Sequence, residues 1–190
     1  MTKILFLSGS IRSGSFNTKL AKQAFAIAKD MGANAEFIDL ADYEMPIYNG
    51  DLEAASGLPE AAIRLKQKFI EADGFFIASP EYNSSLSPLL KNSLDWISRP
   101  SDKNEAPLIA FKGKIAAISA ASPGGFGGLR GLVPLRMMLG NIGVILAPEQ
   151  LAISFANKVF DGDKLTDEKY LNGLKNVVEN LVETTKKVKG

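Results

Sequence analysis

Short apolar runs alternate with segments of helical spacing along the whole chain. The apolar runs that predict buried strands cover residues 4–7, 36–40, 75–78, 115–120 and 144–146. Between them, apolar side chains recur every three or four positions, which is the period of an amphipathic helix. This alternation predicts an α/β fold whose strands form one parallel sheet.

The helical segments also carry residues that start and end helices. Helices are predicted over residues 17–31, 59–72, 87–98, 128–139 and 167–188. Asn17 is expected to cap the first helix, and Ser87 to cap the third, with Pro88 at the first helical position. Pro134 lies inside the fourth helix, where proline removes a hydrogen bond and favours a kink. Residues 41–57 are predicted to be irregular.

The loop after the first predicted strand has the residue types of an anion site. In a doubly wound sheet, ligands bind beyond the carboxyl ends of the strands. Residues 8–17, SGSIRSGSFN, join the first strand to a helix N-terminus, whose N–H groups and dipole favour an anion. Arg12 adds a charged fork that suits phosphate. The loop lacks the lysine of a Walker motif and the dinucleotide fingerprint. It therefore predicts a terminal phosphate site; a serine-rich turn that only caps a helix is the alternative.

The loop after the third predicted strand offers a flat surface. It reads SPEYNSSL over residues 79–86. Pro80 stiffens the loop, the Tyr82 ring can support a planar ligand, and Asn83 can donate hydrogen bonds to it. Glu81 could act as an acid or base, although a structural ion pair is the more ordinary role. The alternative is a surface loop with an exposed tyrosine.

The loop after the fourth predicted strand is rich in glycine. Residues 122–130 read SPGGFGGLR, with four glycines in five positions. Such a loop lets the backbone approach a ligand closely or moves as a lid. A flexible connector is the alternative interpretation, although connectors in α/β units are usually short.

Composition limits the chemistry that the side chains can supply. The chain has no cysteine and no histidine, which excludes disulfides, Cys/His zinc sites and Ser–His triads. We expect no metal. The formal net charge of +1 gives no bulk attraction to nucleic acid or to a membrane surface. The length of 190 residues predicts one domain over 1–190, and the apolar N-terminal run is too short for a signal peptide. A cytoplasmic protein is therefore expected.

In these three loops the sequence resembles the NADPH-dependent FMN reductase family, which includes bacterial quinone, chromate and azo reductases. The stretches that carry the resemblance are LSGSIRSGSFNTKLA, SPEYNSSLSPLLKNSLDWISR and ASPGGFGGLRGLVPLRMMLGNIGV. They hold the expected order and spacing, and the resemblance covers nearly the full length. It implies a flavodoxin-like, doubly wound, five-stranded parallel sheet of order 2-1-3-4-5 in three layers. The family pattern has Pro-Gly where this chain has Ser87-Pro88.

The resemblance also implies which residues bind the cofactor. The FMN phosphate would be held by Ser10, Arg12, Ser15 and Asn17, with Phe16 close to the cofactor through its backbone. The isoalloxazine ring would be flanked by Pro80, Glu81, Tyr82 and Asn83. The far side of the site would be lined by Ser122, Gly124 and Gly125.

The function implied is that of an NAD(P)H-dependent, FMN-containing oxidoreductase. NAD(P)H would be the co-substrate, and quinones, azo compounds, chromate or free flavin the acceptors, in ping-pong hydride transfer. The flavin carries the chemistry, so no catalytic protein residue is expected. The resemblance and apolar residues on several faces of the third and fourth helices favour a homodimer or homotetramer. The alternatives are a flavodoxin-type electron carrier without its own NAD(P)H oxidation and a flavin-free regulatory domain. The sequence leaves the acceptor and the choice between NADH and NADPH open.

Overall fold

A five-stranded parallel sheet forms the centre of the computed structural model, which describes residues 2–189. Its order is β2-β1-β3-β4-β5, which confirms the predicted fold class. The strands are β1 Lys3–Ser8, β2 Asn34–Ile38, β3 Gly74–Ala78, β4 Ile115–Ala121 and β5 Ile145–Ile153. The helices are α1 Phe16–Asp30, α2 Gly50–Ser56, α3 Glu60–Glu71, α4 Pro88–Ser98, α5 Leu129–Asn141, α6 Ala156–Val159 and α7 Glu168–Lys189. A short antiparallel pair, β6 Phe160–Asp161 and β7 Lys164–Leu165, precedes α7.

Each face of the sheet packs into its own hydrophobic core. Successive strand residues point to opposite faces. Phe6 accordingly packs in the core that α1 and α7 cover, and Leu5 in the core that α3, α4 and α5 cover. Because both faces are covered, the central strands β1, β3 and β4 are apolar almost throughout, as expected for a parallel sheet. This layering exposes the carboxyl ends of the strands at one edge.

The segment predicted as irregular, residues 41–57, contains regular structure, so that prediction is wrong in part. A 3₁₀ turn spans Leu40–Asp42, and α2 spans Gly50–Ser56. Asn49 caps α2 by accepting a hydrogen bond from the Asp51 N–H at 2.8 Å. No residue of α2 is buried, so the helix has no apolar stripe to show in the sequence.

The fifth strand is longer than the predicted residues 144–146. It runs to Ile153 because it contains a bulge: Ala116 pairs with Leu146, but Ile118 pairs with Gln150. Arg136 fills the bulge by donating to the Ala147 carbonyl oxygen and the Gln150 side chain, each at 3.0 Å. Pro148 and Glu149 interrupt the apolar run, which is why the sequence pattern predicts a shorter strand.

Two features of the helices bear on the site. Ser87 caps α4 as predicted, because its Oγ accepts from the Leu90 N–H at 3.1 Å. The same hydroxyl donates to the Gly9 carbonyl oxygen at 2.5 Å and so ties α4 to the first loop. Helix α5 continues through Pro134.

Across residues 2–189, no helix combines the length and the apolar character that crossing a membrane requires.

Candidate functional site

The loops after β1, β3 and β4 meet at one edge of the sheet because these strands are parallel neighbours. They border a cleft of about 110 Å³. Its lining comprises Ser10, Arg12, Ser15, Phe16, Asn17, Pro80, Glu81, Tyr82, Ala121, Ser122 and Pro123. The remaining predicted residues, Asn83, Gly124 and Gly125, line an adjoining outer cleft of about 250 Å³, which also contains Glu81 and Ser122. The structure therefore brings all the predicted site residues together.

Two buried serine hydroxyls at the inner cleft are available as donors. The Ser10 Oγ accepts from the Arg12 N–H at 3.3 Å, and the Ser15 Oγ accepts from the Thr18 N–H at 3.4 Å. A hydroxyl that accepts a hydrogen bond keeps its own proton for another partner. Both serines can therefore donate to an anion in the cleft without losing the contacts that hold the loop.

The N-terminus of α1 adds backbone donors and a positive dipole end. The first N–H groups of a helix have no acceptor within the helix, and here they belong to Phe16 and Asn17. The Phe16 ring packs against Phe160, with centroids 5.6 Å apart, so Phe16 can serve the cleft through its backbone. Anions are stabilised at such a terminus.

Arg12 lies at the mouth of the cleft and is exposed. Within residues 2–189 its guanidinium makes one hydrogen bond, from Nη1 to the Ser13 carbonyl oxygen at 3.1 Å, and no ion pair with a carboxylate. Most of its donors are therefore free for a ligand, and an anion in the cleft would lie beside a cation that no carboxylate neutralises.

Asn17 does not cap α1, so that prediction is wrong. Ser15 occupies the cap position. Asn17 lies one residue inside the helix, where its amide donates to the Ala121 carbonyl oxygen and accepts from the Ala121 N–H, both at 2.9 Å. This double contact fastens the start of α1 to the end of β4 and leaves one N–H of the amide available to a ligand in the cleft.

The second loop is shaped by a tight turn between Tyr82 and Ser85. Their backbones exchange two hydrogen bonds of 2.9 and 3.1 Å. The two central residues, Asn83 and Ser84, have φ values of 51° and 65°, the left-handed conformation that such a turn requires. The turn presents Tyr82 at the cleft with 48% of its surface exposed, so a flat ligand can contact its ring.

Glu81 forms a structural ion pair. Its nearly buried carboxylate accepts hydrogen bonds from Arg130 Nε at 2.8 Å and from the Gly131 N–H at 3.4 Å, and Arg130 Nη2 lies 2.8 Å from the same carboxylate oxygen, Oε1, as Nε. These contacts join the second loop to the start of α5. The side chain that sequence analysis considered as an acid or base is therefore occupied in holding the loop.

The third loop is fixed against the end of β5. The Phe155 N–H donates to the Gly124 carbonyl oxygen at 3.3 Å, and the Ser154 hydroxyl to that of Gly125 at 2.7 Å. A Cβ on Gly127 would lie 2.7 Å from the Ile153 carbonyl carbon, so glycine is required for this close approach. These contacts argue against the flexible connector and against a mobile lid.

Several residues of the two clefts are not among the predicted site residues. Ala121 and Pro123 line the inner cleft, and Phe126 lines the outer one with 64% of its surface exposed. Ala121 resembles a core strand residue, and only its place at a strand end pointed to the site. Among residues 2–189, no cluster of three or more acidic side chains could hold a metal ion.

Comparisons with known proteins agree with this geometry. Residues 2–158 match the family model described as NADPH-dependent FMN reductase. An NAD(P)H-dependent FMN reductase of Pseudomonas aeruginosa is 38% identical over 169 residues, which covers 88% of this chain and 86% of that protein. An NADPH:quinone oxidoreductase of Arabidopsis thaliana is 36% identical, covering 100% of this chain and 95% of that protein. The solved structure of FerB, a flavoenzyme NAD(P)H:(acceptor) oxidoreductase from Paracoccus denitrificans, matches with a TM-score of 0.83 at 30% identity, over 99% of both chains. The chain therefore belongs to the NADPH-dependent FMN reductase family.

Proposed function

We propose that this protein is an NAD(P)H-dependent, FMN-containing oxidoreductase that reduces quinones, azo compounds, chromate or free flavin. The observation that carries the proposal is the cleft itself. Phosphate donors at the start of α1 and the exposed Tyr82 ring border one space at the carboxyl edge of the sheet. A cofactor with one terminal phosphate and a flat ring suits both ends of that space.

The roles of the residues follow from their contacts. The phosphate is held by Ser10, Arg12, Ser15 and Asn17 and by the first N–H groups of α1. Asn17 also positions that helix through its contacts with Ala121. The ring is flanked by Pro80, Glu81, Tyr82 and Asn83 on one side and by Ser122, Gly124 and Gly125 on the other. When bound, the flavin supplies hydride transfer from a reduced nicotinamide to an acceptor. The protein binds and orients the reactants.

The flavin bound to the purified protein is expected to be FMN, held without a covalent bond. FAD should bind worse, because its adenylate would have to leave a loop whose donors converge on a terminal phosphate. Heat release of the cofactor followed by chromatography identifies it. FAD as the main released flavin would contradict the proposed phosphate site.

The kinetics are expected to be ping-pong. The inner cleft, at about 110 Å³, is smaller than the roughly 300–1,000 Å³ of most complete ligand pockets. It therefore encloses part of the cofactor only, and little enclosed space remains for nicotinamide and acceptor together. Double-reciprocal plots at several acceptor concentrations should be parallel. Intersecting lines, with a ternary complex formed on a dead-end acceptor analogue, would show that both substrates bind at once.

We also propose that the protein forms a homodimer or homotetramer, and this proposal rests on exposed apolar residues of α5. Several of the apolar residues that favour an interface in the sequence of the third and fourth predicted helices, including Leu94, Trp96 and Leu135, are buried within one subunit. What remains is a stripe on α5 with one-turn spacing, Leu129, Val133 and Met137, which are 44%, 64% and 63% exposed. Light scattering at micromolar concentration should give at least twice the subunit mass, and Val133→Glu should lower it. A subunit mass for the unaltered protein would contradict this proposal.

The organisation of residues 1–190 as one FMN-binding domain and a location in the cytoplasm stay predictions. Limited proteolysis and fractionation of cells that express the chain test them.

A further inference from the structure

The outer cleft contains an exposed aromatic ring among polar and glycine residues. Phe126 is 64% exposed, and its neighbours in the cleft include Glu81, Asn83 and Ser122. Four of the five residues 124–128 are glycine, and this composition predicts a wall with few side chains that could select an acceptor. The structure places a phenyl ring and an arginine at this wall, so that interpretation needs correction.

The backbone that carries Phe126 is held in place on both sides. Gly124 and Gly125 accept hydrogen bonds from residues 154–155, and Gly127 packs directly on the backbone there. The exposed ring is thus mounted on an anchored loop. A flat ligand that stacks on it needs little further ordering of the protein, and this favours binding.

Arg130 lies beside the ring and is held in one position. Its guanidinium carbon is 5.0 Å from the Phe126 ring centroid. Glu81 accepts a hydrogen bond from its Nε at 2.8 Å, and its Nη2 lies 2.8 Å from the same carboxylate oxygen. A guanidinium has five N–H donors, so about three remain free. The side chain of Arg130 is 58% exposed, which leaves those donors accessible.

We propose that Phe126 and Arg130 select the electron acceptor. A planar, electron-poor ring of the quinone class stacks at Phe126, and an anionic substituent on it, such as a sulfonate, carboxylate or enolate oxygen, accepts hydrogen bonds from Arg130. This inference rests on the proposed function and adds a substrate class to it: planar acceptors that carry a negative charge.

The test compares a neutral and an anionic acceptor of the same ring system, naphthoquinone and naphthoquinone sulfonate, with FMN-loaded protein. Phe126→Ala should raise KM for both quinones about five-fold, the scale of one aromatic stacking contact, and Phe126→Tyr should restore it. Arg130→Gln should raise KM for the sulfonate alone by about ten-fold, and Arg130→Lys by less. Ile47→Ala removes another exposed apolar side chain, 86% exposed and outside both clefts, and should change neither value.

A second readout does not depend on turnover. Calorimetry with naphthalene sulfonate, which is not reduced, should show binding to the FMN-loaded protein that weakens in Phe126→Ala and in Arg130→Gln. Ferricyanide has no ring to stack, so its reduction should be unchanged in Phe126→Ala.

Equal losses of activity with ferricyanide and both quinones would overturn the inference. Unchanged KM and unchanged naphthalene sulfonate binding in both variants would also overturn it. An unaltered, FMN-loaded protein that fails to oxidise NAD(P)H with any of these acceptors would instead overturn the proposed function, and the calorimetry would still decide the role of Phe126 and Arg130.

Discussion

Replacing Arg12 by alanine should weaken FMN binding about ten-fold or more, because a hydrogen bond to a charged group contributes roughly 1.5–3 kcal/mol. The guanidinium lies at the mouth of the cleft, and its one hydrogen bond within the described residues goes to a neighbouring carbonyl oxygen. No carboxylate there competes with a phosphate for it. The FMN affinity of Arg12→Lys should lie between those of the unaltered protein and of Arg12→Ala, since an ammonium keeps the positive charge but lacks the planar set of N–H donors of a guanidinium. Fluorescence titration of the apoprotein with FMN measures the change.

The stability of the apoprotein should barely respond to the same substitution. Arg12 is exposed and makes no ion pair within residues 2–189, so thermal unfolding of apo Arg12→Ala should match that of the unaltered protein. Arg64→Ala is the matched control. It removes a similarly exposed arginine that pairs with Glu60 on α3, away from both clefts. Equal FMN affinity in Arg12→Ala and Arg64→Ala would show that Arg12 does not contact the phosphate.

Replacing Gly127 by alanine should destabilise the protein by about 2–4 kcal/mol, the combined scale of left-handed backbone strain and of overpacking. Gly127 has a φ of 61°, and an added Cβ would lie within 2.9 Å of three backbone atoms between Ala152 and Ser154. Backbone there cannot move without disturbing the end of β5. For a domain of this size the melting temperature should fall by about 5–15 °C.

Gly124→Ala provides the control for Gly127→Ala in the same loop. A Cβ on Gly124 would meet only the Ser122 Oγ, at 3.6 Å, an ordinary contact, and its φ lies outside the left-handed region. Its melting temperature should stay close to that of the unaltered protein. If both variants lost stability equally, the loss would come from replacing any glycine of this loop and not from the close approach at Gly127.

The parts of the fold that sequence patterns predicted well are those buried on both faces. β1, β3 and β4 are such strands, and their continuous apolar runs gave their positions to within about a residue or two. Helix α2 was missed because it buries no side chain and begins at Asn49-Gly50, residues typical of turns. β5 was predicted too short because Pro148 and Glu149 lie in its bulge.

Some features of the candidate site could likewise be predicted from the sequence, and others could not. The loop that we propose to hold the phosphate could be identified because serines, glycines and an arginine before a helix are local features of the sequence. The contacts of Asn17 could not be identified in this way, since Ala121 lies 104 positions further along the chain. The same holds for the pair of Glu81 with Arg130, which are 49 positions apart. Local pattern shows which residues can act as donors, and only the tertiary structure shows which donors are already engaged.

Anaerobic titration of the purified FMN-loaded protein with NADPH, followed in the visible absorption band of the flavin, tests the central claim most directly. We expect the band to bleach with about one equivalent of NADPH, or of NADH, per flavin, with no other protein present, since hydride transfer carries two electrons. Dithionite should give the same final spectrum. Bleaching by dithionite, but by neither nicotinamide, would contradict the account and identify the protein as an electron carrier that a partner must reduce.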